Sequence, residues 1–233
     1  MKDDLGTRMK TQYEKRFRHY LPRRTYTILR VDGKAFHTYT RGCAKPFDTD
    51  LMNSMDHTAM EMCKNIQGAA FAYIQSDEIS ILLTDFNKIT TDAWFDGNIQ
   101  KMTSVGASMA STYFNQTRAN PTAIFDARVF IIPDPIEVEN YFIWRQKDAV
   151  RNSIQMLAQS MYSHKELHGK NSNMLQDLIH AKDLNWNDCD VREKRGRIVF
   201  KCKDTHEWSF DDPITFTQNR NYLNSLIPDI NAT

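Results

Sequence analysis

Residues 69–86, AAFAYIQSDEISILLTDF, decide how the chain folds. Two apolar runs, 69–74 and 79–83, are rich in aromatic and β-branched residues and short enough to be strands. Four polar residues, Gln75, Ser76, Asp77 and Glu78, separate them, a connector of hairpin length with adjacent carboxylates at its tip. Carboxylates at strand ends suit Mg²⁺, which takes oxygen ligands and keeps substrate phosphates in its shell. An acidic turn that only faces water is the alternative at this point.

Upstream, residues 26–35 read YTILRVDGKA, an apolar strand running into Asp32-Gly33. Asp-Gly at a strand end marks a tight turn, because glycine tolerates φ > 0 and lets the backbone approach a ligand. Asp32 at one strand end, Asp77 at the hairpin tip and the carbonyl of Gly33 form an oxygen cage for two divalent ions, an arrangement that serves phosphoryl and nucleotidyl transfer. Strand alternation points Glu78 to the opposite face from Asp77, so it tunes the site rather than binding directly.

The remaining elements follow from periodicity. A basic amphipathic helix is expected over 4–20, ended by Pro22. Asp48 caps a helix whose apolar residues Leu51, Met52, Met55, Ala59, Met62, Cys63 and Ile66 recur at three and four, with Gly68 as its stop. A second helix is expected over 97–116, with small residues at 106–112 for close packing on the sheet. The run 127–132 is a fourth strand that Pro133 ends. The order strand–helix–strand–strand–helix–strand is that of a ferredoxin-like βαββαβ domain, so the fold class is α+β. Beyond it come a helix over 138–161, a polar loop HKELHGKNSN, a short helix over 174–181, a hairpin of 197–203 with 206–210, and a loose tail. The expected organisation is a catalytic domain over 1–136, carrying the basic N-terminal helix, with 137–233 packed on it as one structural unit.

No apolar run approaches the ~20 residues of a membrane span. The charged start, MKDDLGTRMK, lacks the apolar core of a secretory signal. Cys43, Cys63, Cys189 and Cys202 show neither zinc nor disulfide spacing, which suits a reducing, cytoplasmic compartment. Net charge is only +1, yet the cations are clustered. Arg8, Lys10, Lys15, Arg16, Arg18, Arg23 and Arg24 form one group with Tyr13, Phe17 and Tyr20 interleaved. Arg192, Lys194, Arg195, Arg197, Lys201 and Lys203 form another. Such patches neutralise RNA phosphates and stack bases, or else coat a solvated helix.

Six segments carry a resemblance when taken in order: RVDGKAFHTYT (30–40), AKPFD (44–48), IQSDEISILL (74–83), QKMTSVGASMAS (100–111), FDARVF (125–130) and WRQKDAVRN (144–152). Together they resemble the tRNA-His guanylyltransferase family and its bacterial and archaeal Thg1-like branch, over about residues 13–203. The resemblance implies a polymerase-palm-like catalytic domain that adds nucleotides in the 3′-to-5′ direction, with tRNA and nucleoside triphosphates as partners. It also implies two Mg²⁺ ions, ATP or GTP as activating nucleotide, and a homotetramer. Asp32, Asp77 and Glu78 become the catalytic carboxylates, with Asp32, Gly33 and Asp77 as metal ligands. Arg30, Lys34, Ala35, Phe36, His37, Lys45, Ser76, Asp77, Lys101 and Ser104 are the implied nucleotide contacts, a structural hydrogen-bonding role for His37 staying open. RNA contacts are expected from Arg16, Arg18, Arg23, Arg24, Arg145, Asn152, Lys194 and Arg195.

One departure matters. Family members that add G to histidine tRNA carry His-Ile-Asn-x-x-x-Asn after Trp-Arg-Gln, whereas here the histidine and last asparagine positions hold Val150 and Met156. This resembles the branch associated with templated repair of truncated tRNA 5′ ends. G addition to histidine tRNA, a palm-type nucleotide cyclase and a non-catalytic RNA-binding protein are the alternatives.

Overall fold

The computed structural model describes residues 4–118 and 121–230. Strand β1 (Tyr26–Gly33) and the hairpin β2 (Ala69–Gln75) with β3 (Glu78–Leu83) form the middle of one six-stranded antiparallel sheet. Its order is β4-β1-β3-β2-β5-β6, with β4 at Phe125–Ile132, β5 at Arg197–Lys201 and β6 at Trp208–Asp211. Helix α1 (Leu5–Gln12) precedes the sheet, and the single turn α2 (Phe36–Tyr39) follows β1. Helix α3 (Thr49–Asn65) then leads to β2, and α4 (Ile99–Thr117) joins β3 to β4. The connectivity from β1 to β4 is therefore βαββαβ.

Both faces of the sheet are covered, which is why β2 and β3 read as apolar runs without alternation. On one face Leu29, Val31, Ala72, Ile74, Ile79 and Ile81 pack with Met55, Met62, Met102 and Phe114 of α3 and α4. Gly106 is the contact point of α4, since a Cβ there would come within 3.1 Å of Leu29. Asp48 caps α3 by accepting from the Leu51 N–H at 2.7 Å. The other face carries Tyr26, Ile28, Phe71, Tyr73 and Leu82, covered by Val138 and Phe142 of α5 (Pro135–Gln159). Asp134 caps α5 and Pro135 opens it, where a missing N–H costs nothing. Beyond the sheet, the far half of α5 packs on α6 (His164–Leu167) and α7 (Ser172–His180). Then come α8 (Val191–Arg195) before β5 and α9 (Arg220–Leu226) at the end. No helix among the described residues is long and apolar enough to cross a membrane.

Three expectations need correction. The N-terminal helix stops at Gln12, because Tyr13 leaves helical geometry (φ −123°, ψ −70°), and a separate 3-10 turn spans Glu14–Phe17. The polar stretch after α5 is not all loop: Ser163 and Glu166 form a capping box that starts α6. Nor is the segment beyond Phe210 loose. Phe216 and Leu223 are fully buried against Tyr73 and Phe142, and Gln146 clasps the chain by donating to the Ile214 carbonyl (3.1 Å) while accepting from the Phe216 N–H (2.8 Å). Those residues are spaced too irregularly for a periodicity argument to find them.

Phe216→Ala is expected to cost about 3–5 kcal/mol through the cavity it opens. A urea-unfolding midpoint unchanged from the parent chain would show that the tail is no part of the core.

Candidate active site

The β2–β3 connection is tighter than four residues. Gln75 and Glu78 pair as strand partners, leaving a two-residue turn of Ser76 and Asp77 with Ser76 at φ 47°, the positive φ that such hairpins demand. Asp77 sits at the tip beside the end of β1, and the Gly33 N–H donates to its carbonyl at 3.1 Å. This bond sets Asp32 and Asp77 side by side. Gly33 is needed for a different reason than a positive φ, because it lies in strand geometry. A Cβ there would fall 2.1 Å from the Phe36 ring. The left-handed residue is Ala35 (φ 55°), which starts α2 and turns Phe36 back under the strand. There Phe36 meets Tyr39, Phe114 and Phe125 at ring separations of 4.8, 5.6 and 5.2 Å.

Two half-buried carboxylates this close repel. Burial first, and then the charge of Asp32, push the Asp77 carboxyl up to about 6. Asp32 is also raised, first by burial and then by Asp126, which lies directly opposite it on β4. Arg128, 4.0 Å from Asp32, opposes that rise only in part. Since Asp77 holds its proton more tightly folded than unfolded, it favours the fold below about pH 4 and loses that contribution as pH rises through 6. A cation at the pair would remove the repulsion. Among the described residues no group of three or more His, Cys, Asp or Glu side chains is arranged to hold a metal. Two carboxylates and a carbonyl fall short of a full protein cage, yet they fit Mg²⁺, which completes its shell with water and phosphate.

Asp77 and Ser76 open onto a cleft of about 470 Å³, lined also by Phe36, His37, Lys45 and, from α5, Met156. Five of the expected nucleotide contacts thus meet in one space large enough for a nucleotide. Others lie elsewhere. Lys34 is exposed and only its backbone N–H is engaged, to the Ile124 carbonyl at 2.8 Å. Lys101 and Ser104 are exposed on α4, Lys101 over the Phe95 ring at 5.7 Å and the Ser104 hydroxyl donating to Gln100 at 2.7 Å, and neither lines the cleft. Arg30 is half-buried with its Nε 3.9 Å from Glu78, on the α5 side of the sheet.

Glu78 is not at the tip. It is buried, and Arg145 of α5 grips it through two bonds of 2.8 and 2.7 Å while also reaching Asp148 at 2.9 Å. Glu78 and Arg145, expected at the catalytic centre and on RNA, are thus engaged with each other in this structure. Lys194, expected on RNA, is buried with its ammonium on the Asn187 carbonyl (2.5 Å) and over the Trp186 ring. Arg23 is committed to Asp85 at 2.8 Å and the Thr91 carbonyl at 2.6 Å. Arg16 bonds Gln12, Arg18 pairs with Glu14, and Arg24 is exposed with its N–H on Asp85. Asn152 is half-buried beside Asp148, and Arg195 is half-buried with its carbonyl accepting from Tyr73. Sequence reasoning passed over Asp126 and Arg128. The alternating charges in FDARVF were the available signal, and placing the strand start at Ala127 hid it.

Comparison with known proteins follows the same lines. The family model described as tRNAHis guanylyltransferase matches residues 6–133. A bacterial tRNAHis guanylyltransferase (Thg1)-like protein in complex with ATP matches with a TM-score of 0.91 at 45% identity, over 97% of this chain and 99% of that one. A bacterial protein of the same description in complex with GTP gives 0.84 at 44% identity, covering 96% and 99%. A probable tRNAHis guanylyltransferase of Dictyostelium discoideum is 24% identical over 234 residues, 91% of this chain and 89% of its own length.

Glu78→Gln is expected to destabilise the chain by about 3 kcal/mol, because it leaves the buried Arg145 guanidinium with Asp148 as its remaining acid. Chemical denaturation measures this, and a loss below about 0.5 kcal/mol, typical of a surface change, would show that the fork is not structural.

Proposed function

The chain belongs to the tRNAHis guanylyltransferase family of nucleotidyltransferases, and from that premise we propose that it extends tRNA 5′ ends in the 3′-to-5′ direction, chiefly as templated repair of truncated tRNAs. One observation carries this reading: Asp77 lines a nucleotide-sized cleft and has the Asp32 carboxylate close enough to raise its pKa. The bacterial relatives in complex with ATP and with GTP support the same use of the cleft.

In the proposed reaction the RNA 5′-monophosphate first attacks the α-phosphate of a nucleoside triphosphate, releasing pyrophosphate and leaving an activated end. The 3′-hydroxyl of an incoming nucleotide then displaces the activating nucleotide. Asp32, Asp77 and the Gly33 carbonyl would hold Mg²⁺ between them. Bound there, Mg²⁺ would neutralise charge on the transferring phosphate. Lys45 and His37 are exposed to the cleft and meet the triphosphate, with the Ser76 hydroxyl beside Asp77 as a further donor. Glu78 and Arg145 position the turn rather than touching substrate. The βαββαβ part is read as the polymerase-like palm.

Val150 and Met156 support repair over obligatory G addition, since Val150 has no hydrogen-bonding group and Met156 only a weakly accepting thioether to offer a guanine edge. Selectivity then falls to pairing with the opposite strand. Single-turnover addition of each nucleotide to tRNAs lacking their first residue, with each possible partner base, tests this. The complementary nucleotide is expected to be preferred by at least about tenfold in every case. G added at similar rates opposite all four partners would replace repair with guanylyl addition.

A further inference from the structure

Trp144 takes no part in the chemistry derived above, yet it is the most exposed of the four tryptophans. It is 53% exposed, whereas Trp94 and Trp186 are buried and Trp208 is half-buried. Exposed does not mean loose here. The Arg145 guanidinium stacks over its ring at 4.4 Å, and Tyr141 meets it edge-on at 5.9 Å. Both neighbours are fixed in turn, Arg145 by Glu78 and Asp148, and Tyr141 by a 2.8 Å hydrogen bond with Ser80.

Those bonds also say where the ring stands. Helix α5 runs along the sheet from Tyr141 above Ser80 to Arg145 at Glu78, and Glu78 is the direct cross-strand partner of Asp32. Trp144 therefore lies at the level of the carboxylate pair, on the sheet face that bears Asp32. Cations surround this level. Arg151, seven residues further along the same side of α5, is exposed while pairing with Asp148, and Arg128 is exposed between Asp126 at 3.3 Å and Asp32 at 4.0 Å.

We propose that Trp144 is a stacking platform for the terminal nucleobase of the RNA end that enters the Asp32–Asp77 site. This rests on the reaction proposed above, which must hold an RNA 5′ end there. A rigid aromatic face flanked by guanidinium groups is an arrangement on which a terminal base stacks irrespective of sequence, while the cations meet phosphate. Arg145 adds its own share by holding the ring in place, so that little order is lost on binding.

The test uses the full chain, a 5′-monophosphorylated tRNA transcript lacking its first residue, and the same RNA with an abasic 5′-terminal nucleotide. Intrinsic fluorescence reports directly, because Trp144→Leu removes the exposed signal. The wild-type signal should be quenched by the intact RNA and not by the abasic one. Trp144→Leu should weaken binding of the intact RNA about tenfold, leave the abasic RNA unchanged and keep the salt dependence, with Trp144→Phe recovering most of the loss. Equal losses for the two RNAs would overturn the platform. So would a Trp144 signal that follows protein concentration without RNA, which would make this face a contact between copies of the chain. If the wild-type chain adds nucleotides to the transcript in any of these cases, the proposed reaction survives and only the platform fails; if it neither binds nor extends the transcript, the reaction itself fails.

Discussion

The fork from Arg145 to Glu78 is the constraint on which the site depends. A carboxylate buried one residue from a hairpin turn is costly unless something answers both of its oxygens. Arg145 does so at 2.8 and 2.7 Å, and because it belongs to α5, it locks helix and hairpin together at the level of the turn. Asp77 precedes Glu78 in the chain and inherits that fixity. The Gly33–Asp77 backbone bond adds the third attachment, from β1. With both sides of the turn held, the two carboxylates can stay together although Asp32 disfavours the ionisation of Asp77.

That tension gives the site its chemistry. A relaxed turn would let Asp77 swing into water and lose its pull on a cation. Held beside Asp32, it keeps a deficit that a divalent ion bearing phosphate oxygens can fill. The turn also lies where two surfaces meet. The cleft of Phe36, His37 and Lys45 opens on one side, and the sheet face with Asp32, Arg128 and Trp144 lies on the other. The proposed reaction needs two substrates at one pair of carboxylates, and this layout gives each its own approach.

Much of this was legible in the sequence, for reasons that differ by element. The β2–β3 hairpin declared itself through apolar runs, and α3 through its Asp48 cap and three-four spacing. Asp32 and Asp77 stood out as carboxylates at two strand ends, a placement that suits Mg²⁺. The motif resemblance then gathered Phe36, His37 and Lys45, which no periodicity could bring to one cleft. What neither charge nor the motif resemblance revealed was which cations the fold pairs off. Arg145, Lys194 and Arg23 were expected on RNA, but Arg145 and Arg23 are held by the sequence-remote acids Glu78 and Asp85, and Lys194 by the nearby Asn187 carbonyl. A single chain's charge pattern does not reveal which cations folding neutralises. Gly33 taught a similar lesson, its missing Cβ being required by the Phe36 ring rather than by a positive φ.

The central claim is that Asp77 is a strained, cation-seeking carboxylate rather than an acid on a surface turn. Carboxyl ¹³C chemical shifts followed through a pH titration measure this directly. Without divalent ions, the Asp77 carboxyl should titrate near 6, well above the ordinary value. With Mg²⁺ and a nucleoside triphosphate added, its midpoint should fall below the ordinary carboxylate value as the cation displaces the proton. A midpoint near 4 in the free chain, unmoved by Mg²⁺ and nucleotide, would contradict the account.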